Sequence, residues 1–210
     1  MAVGIILLAA GASSRMGEPK QLLRYGGETL LGRALRAASE SQCRPVVVVL
    51  GARAEALRAE VEGQDALVVM NETWAEGMGS SIRAGLDALR AATSDAVEAV
   101  VMLLCDQPFV TSNLIMQLVE TYHTRHALLV ASAYESRGER TLGVPALFSR
   151  ALFPELMALD GAEGAKRIIQ RHAADALCVA AQAAAFDVDT PADYHALQAE
   201  TPNPKNYSDI

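Results

Sequence analysis

Short, uninterrupted apolar runs recur along this chain, and stretches with a helical period fill the intervals between them. The runs lie at residues 3–9, 45–50, 66–70, 99–105 and 128–133, and most are rich in Val and Leu. A strand with one wet face alternates polar and apolar side chains. A strand covered on both faces need not, so continuous runs of this length predict a sheet sandwiched between helices. The intervening segments are 29–41, 54–62, 80–92 and 111–125. In the last of these Thr111 or Ser112 can cap the helix, while Leu114, Ile115, Leu118 and Val119 form its buried stripe. Alternating β and α elements predict a three-layer α/β/α domain with a mostly parallel, mixed sheet and right-handed crossovers.

After residue 133 the rhythm changes. A polar turn at 136–140 precedes a strand at 142–148, and helices are expected near 149–159 and 163–173. A strand near 176–180, a short strand at 185–188 and a last helix from Pro191, capped by Thr190, complete the reading. The 210 residues suit one domain, 1–199, followed by a frayed tail at 200–210 with little apolar surface. Eighteen Lys+Arg against 25 Asp+Glu leave a net charge of −7, which argues against a nucleic-acid or anionic-membrane partner. Cys43, Cys105 and Cys178 have no metal or disulfide spacing and read as buried free thiols. The N-terminal apolar run has no basic flank and is too short to span a bilayer, so the expected location is the cytoplasm. His123, His126, His172 and His195 read as helix-surface residues.

In open α/β sheets ligands bind beyond the carboxyl ends of the strands, which directs attention to the loop after residue 9. Gly11, Ala12, Ser13 and Ser14 allow close backbone approach, with N–H groups available to a phosphate. Arg15 adds a planar fork and Lys20 a point charge. The spacing of Gly11 and Gly17 is not a dinucleotide fingerprint, and Gly17-Glu18-Pro19-Lys20 is not a Walker loop; a plain surface loop is the alternative. Asp106, at the end of the 99–105 run, suits a divalent cation or, less well placed, a helix cap. Asp187 and Asp189 alternate, so both point to one side; together they call for a cation or solvent, singly they could be caps. Gly79, Ser80 and Ser81 open a helix whose N-terminus favours an anion or a base carbonyl, with capping as the alternative. Trp74, the one tryptophan, reads as a packing residue.

The run Leu-Leu-Ala-Ala-Gly-Ala-Ser-Ser-Arg-Met-Gly-Glu-Pro-Lys-Gln-Leu-Leu at 7–23 resembles the signature of nucleotidyltransferases that activate small molecules with an NTP. Among these it is most similar to the molybdenum cofactor cytidylyltransferase group, and the likeness extends over about residues 3–198. The resemblance implies a Rossmann-like nucleotidyltransferase fold, CTP as nucleotide, Mg²⁺ as cofactor, molybdopterin as acceptor and a molybdoenzyme as recipient of the product. It implies that Ala9, Ala10, Gly11, Ala12 and Ser13 line the nucleotide pocket, that Arg15 grips the β- and γ-phosphates, and that Lys20 neutralises the α-phosphate. It further assigns the base to Gly79, Ser80 and Ser81, and the metal to Asp106 and Asp187. Gln107, Pro108, Gly143, Pro145 and Asp189 fall on the acceptor side. At 161–166 the family usually reads Gly-Asp-x-Gly-Ala-Arg, whereas Ala162 and Lys166 stand here, which leaves the acceptor open. A guanylyltransferase, a cytidylyltransferase of sugar or polyol phosphates and a non-catalytic cofactor-binding maturation factor are the alternatives.

Overall fold

The computed structural model describes residues 2–136 and 138–200. The chain opens with β1 (Val3–Ala9), a hairpin of β2 (Arg24–Tyr25) and β3 (Glu28–Thr29), α1 (Leu30–Glu40) and β4 (Val46–Leu50). It continues through α2 (Ala54–Val61), β5 (Leu67–Met70), α3 (Met78–Ala92), β6 (Ala99–Leu104) and α4 (Ser112–Arg125). Then come β7 (Leu129–Ser136), β8 (Glu139–Ser149), α5 (Phe153–Met157), α6 (Ala165–Arg171), β9 (Leu177–Ala180) and α7 (Pro191–Ala199). The main sheet runs β5-β4-β1-β6-β8-β7-β9, with β8 antiparallel to its neighbours and every other pairing parallel.

Continuous apolar runs make physical sense in this sheet. Ile5, Leu7, Val46, Val48, Val101 and Leu103 face α1, α2 and α4, meeting Leu35, Leu57, Ile115 and Leu118. Their neighbours Ile6, Leu8, Val47, Val49, Val100 and Met102 face α3, α5 and α6, meeting Ile82, Leu86, Leu156 and Ile168. Residues 66–70 depart from the two-faced reading. As the terminal strand of the sheet, β5 leaves Leu67, Val68 and Met70 43%, 43% and 46% exposed.

Other boundaries shift for local reasons. The expected strand at 185–188 does not form. A 3-10 turn, Gln182–Ala185, takes its place, and β7 already pairs with β8 and β9. The helix expected at 149–159 splits into the 3-10 turn Arg150–Leu152 and the short α5. Of the turn expected at 136–140, Ser136 ends β7 and Glu139 and Arg140 open β8, the two strands pairing antiparallel with Ser136 opposite Glu139. Thr190 caps α7 in a reciprocal box with Asp193, as its position before Pro191 predicts. Cys43 and Cys105 are buried, but Cys178 is only half-buried on β9 near the sheet edge. His172 is half-buried too, with Nε2 2.8 Å from Glu155 Oε1. From residue 201 the expected tail lies outside the described residues.

The chain leaves β1 toward β4 and β5, then returns to place β6 on the other side of β1. The crevice beyond the carboxyl ends of β1 and β6 is therefore the switch point of the sheet, where ligands bind in such folds. Behind it, α3 lies close against β1 and β4 because Gly85 has no side chain. A Cβ there would stand 2.7 Å from Ile6 Cγ2 and 2.9 Å from Val49 Cγ2. Both are branches of stiff β-branched side chains. Gly85→Val is expected to cost about 1–3 kcal/mol by overpacking, read as a lower denaturation midpoint at unchanged slope. An unchanged midpoint would contradict this packing.

Candidate active site

Three segments distant in sequence meet at the switch point: the loop after β1, the end of β6 and the turn before α7. A small satellite core brings them together. Met16, Leu23, Tyr25, Leu30, Phe109, Val188 and Leu197 are buried in it, with Phe186 and Tyr194 packed alongside. The Phe109 ring meets Tyr25 edge-on at 5.8 Å and Phe186 at 5.5 Å. The Val188 N–H donates to Asp106 O at 3.0 Å, which sets Asp187 and Asp189 beside the end of β6.

On this frame the charged side chains converge. Lys20 Nζ donates to Asp106 Oδ2 at 2.5 Å and to Asp189 Oδ1 at 2.8 Å, while Arg15 Nη2 donates to Asp189 Oδ2 at 2.9 Å. Burial opposes the charge on Lys20, but the Asp106 carboxylate and the hydrogen bonds to Asp106 and Asp189 outweigh it, holding its pKa above the ordinary range. Burial also opposes the charge on Asp189, and there Lys20 and then Arg15 win, keeping its carboxyl below the usual range. Asp187 goes the other way. Desolvation, then the charges of Asp106 and Asp189, push its pKa up to about 6 against the pull of Gln107 and Lys20. Burial, reinforced by Asp106, raises the adjacent Cys105 thiol to about 12, so it stays protonated at neutral pH.

Next to this cluster is a cavity of about 290 Å³. Ala9, Ala10, Gly11, Ala12, Lys20, Ser81 and Asp106 line it, as do Gln21, Trp74, Ala75 and Met78. Gly79 and Ser80 sit behind this wall. The Gly79 N–H donates to Gly161 O at 3.0 Å, and the Ser80 hydroxyl faces Thr73 O and Gly77 O at 3.0 and 2.8 Å. Neither serine caps α3, which begins at Met78 after Gly77. Both hydroxyls instead accept from Asn71 Nδ2, at 2.8 and 2.9 Å. Asp106 is no cap either, since Thr111 caps α4. Gln107 is buried and ties the end of β6 to Val144 O at 3.1 Å and Ala184 O at 2.9 Å. Pro108 accepts from Arg33 Nε through its carbonyl. Pro145 is buried on β8 and accepts from Ser132, while Gly143 lies under the Tyr134 hydroxyl.

The loop after β1 offers donors. Among the described residues, the backbone N–H groups of Gly11, Ala12, Ser13, Ser14 and Arg15 have no protein acceptor. Ser13 adopts a left-handed φ of 55°, and its carbonyl accepts from Met16 and Gly17, turning the loop. Gln21, which fastens this loop from inside, and Asn71, which fixes the start of α3, escaped the sequence reading. A buried amide in a polar run has no spacing to announce it. Nor did the packing reading of Trp74 anticipate its place on the cavity wall.

A divalent cation fits the carboxylates. Asp106 Oδ1 is buried with no hydrogen-bond partner, an acceptor left open beside Lys20. Hard oxygen donors of this kind suit Mg²⁺ or Mn²⁺, which take one or two carboxylates and complete their shell with phosphate and water. Among the described residues no three His, Cys, Asp or Glu side chains stand ready-made around a metal position.

Comparison with known proteins is consistent with the geometry. Residues 5–176 match the MobA-like NTP transferase domain. The chain is 31% identical over 192 residues to nicotine blue oxidoreductase of Paenarthrobacter nicotinovorans, covering 88% of this chain and 91% of that protein. It is 30% identical over 201 residues to the purine catabolism protein PucB of Bacillus subtilis (strain 168), covering 90% and 92%. The crystal structure of Rv0371c from Mycobacterium tuberculosis H37Rv superposes with a TM-score of 0.78 at 28% identity, over 96% of this chain and 100% of that one. Rv0371c has also been crystallised in complex with manganese; that structure gives a TM-score of 0.73 at 27% identity, over the same shares of the two chains.

A raised carboxyl pKa has a thermodynamic signature. Asp187 goes from an ordinary 3.8 to about 6 on folding, so the folded state favours its protonated form. Its ionisation therefore erodes stability across that interval, fully above it and not at all below it. Asp187→Asn is expected to raise stability at about pH 7.5, by no more than about 1 kcal/mol because the group is exposed to solvent. At about pH 3.5 it should leave stability unchanged. Denaturant titrations at the two pH values check the sign, and a loss at the higher pH would refute the assignment.

Proposed function

Because the chain belongs to the MobA-like NTP transferase family, we propose that it transfers CMP from CTP to the terminal phosphate of molybdopterin, in the cytoplasm, for delivery to a molybdoenzyme. The observation that carries this reading is the meeting of Lys20, Arg15, Asp106 and Asp189 beside a loop of five uncommitted N–H groups. Cations, amides and carboxylates gathered at one place suit a substrate that is a polyphosphate carrying a metal.

In this mechanism an oxygen of the acceptor phosphate attacks the α-phosphorus of CTP, the bond from that phosphorus to the β-phosphate oxygen breaks, and pyrophosphate leaves. An ionised phosphate needs no general base, so the work is alignment and charge stabilisation. Residues 11–15 cradle the β- and γ-phosphates with their N–H groups, and Arg15 turns from Asp189 to grip them. Lys20 exchanges a carboxylate for the α-phosphate oxygens, where negative charge concentrates in the transition state. Asp106 and Asp187 would hold Mg²⁺, which neutralises phosphate charge when bound. The methyl of Ala10 narrows the base end of the cavity, which favours a pyrimidine. Asp189 faces the acceptor, and the buried Gln107, Pro108, Gly143 and Pro145 back that side of the site.

Pyrophosphate release should be measured with CTP and with GTP, against molybdopterin and a panel of sugar and polyol phosphates. CTP with molybdopterin is expected to give the highest turnover. Faster turnover with GTP, or with another phosphate, would reassign the nucleotide or the acceptor. Asp106→Asn and Lys20→Met are each expected to lower kcat by about 10²–10³ in folded protein. Unchanged turnover in Asp106→Asn would remove the metal assignment.

A further inference from the structure

We infer that Gln21 is the positioning residue that shapes the phosphate-binding loop, an inference that rests on the nucleotidyl-transfer reading above. Gln21 lies in the 3-10 turn Lys20–Leu22 and is its one buried residue, 1% exposed. Its side chain reaches back under the loop that follows β1. Nε2 donates to Ala9 O at 3.0 Å and to Gly11 O at 2.9 Å, so both amide hydrogens are placed. Oε1 accepts from Ser13 Oγ at 3.2 Å, and the same Ser13 oxygen accepts the Lys20 N–H at 3.1 Å. The loop and the turn that carries Lys20 are thus closed on each other through one primary amide.

From outside, the Ala52 N–H donates to Ala10 O at 3.1 Å, between the two carbonyls that Gln21 holds. Gly11 is exposed, and a Cβ built on it would meet no atom within 4 Å. Past that anchor the loop is fastened from within, where Gln21 holds the carbonyls of Ala9 and Gly11 and the Ser13 hydroxyl. Across a trans peptide the N–H points opposite the C=O, so holding Gly11 O inward turns the Ala12 N–H outward, within the run 11–15 whose N–H groups have no acceptor among the described residues. Only a primary amide offers two donors and an acceptor in one plane. A glutamate at position 21 has no donor when ionised. A methionine fills the space but leaves both carbonyls unpaired, a condition that buried backbone groups resist. Gln21 also reaches the cavity wall, so the loop it holds and the ligand share one boundary.

The chain's single tryptophan, Trp74, lines the same cavity and reports on its occupancy. Its fluorescence should be titrated with CTP, with GTP and with CMP, each with Mg²⁺, in wild type, Q21M and Q21E, and the fold of each variant checked by circular dichroism. Both variants are expected to bind CTP roughly tenfold or more weakly, while CMP, which lacks the β- and γ-phosphates, changes by less than about threefold. A general loosening of the structure would weaken CTP and CMP alike, and that parallel loss would overturn the inference. So would variants that bind CTP as tightly as wild type. Should the buried charge of Q21E prevent folding, the near-isosteric Q21M decides alone. Wild type that binds neither CTP nor GTP would instead refute the nucleotidyl-transfer reading itself, whatever the variants do.

Discussion

One ammonium group joins the parts of this molecule that matter. Lys20 bridges Asp106 and Asp189, and Arg15 reaches Asp189 from its exposed side. Three carboxylates beside one another would repel strongly in a partly dehydrated crevice. The two cations share themselves unequally between Asp189 and Asp187. Asp189, which has two cations, stays ionised, while Asp187, to which neither cation donates a hydrogen bond, drifts toward neutrality. The net charge of −7 is an average that does not describe the crevice, where two cations stand among three carboxylates.

Shape in the crevice comes from backbone meeting backbone. On one side Gln21 draws in the loop after β1. On the other, Gly77 and Gly79 at the start of α3 press against the carbonyls of Gly161 and Asp160, a contact that any Cβ would block. The loop at 160–164 thereby supports the Trp74–Met78 segment, which forms the cavity's apolar side. This loop contains Ala162, one of the two departures from the usual family pattern, so that departure lies next to the wall of the cavity.

The layers were legible because continuous apolar runs and helical periods encode burial directly. The central strands and α1 to α4 fall within a residue or two of the expected ranges. The misreadings came where neighbours, not the segment itself, decide. Residues 66–70 look like a covered strand, but no sequence rule says which strand ends a sheet. Residues 185–188 resemble a strand and find no partner edge. In the site, charged residues with distinctive spacing were visible, since Arg15, Lys20, Asp106, Asp187 and Asp189 do converge. The uncharged residues that hold them, Gln21 and Asn71, were not, because their importance lies in which backbone groups they meet.

The ion pairs from Lys20 and Arg15 to Asp189 span 169 and 174 positions of the chain. Residues 15–20 are made well before the turn that carries Asp189. During synthesis the loop can form its internal bonds at once, but one of its counter-charges, Asp189, arrives far later. Until residue 189 clears the ribosome, Lys20 has only Asp106 to pair with, and the crevice lacks one wall.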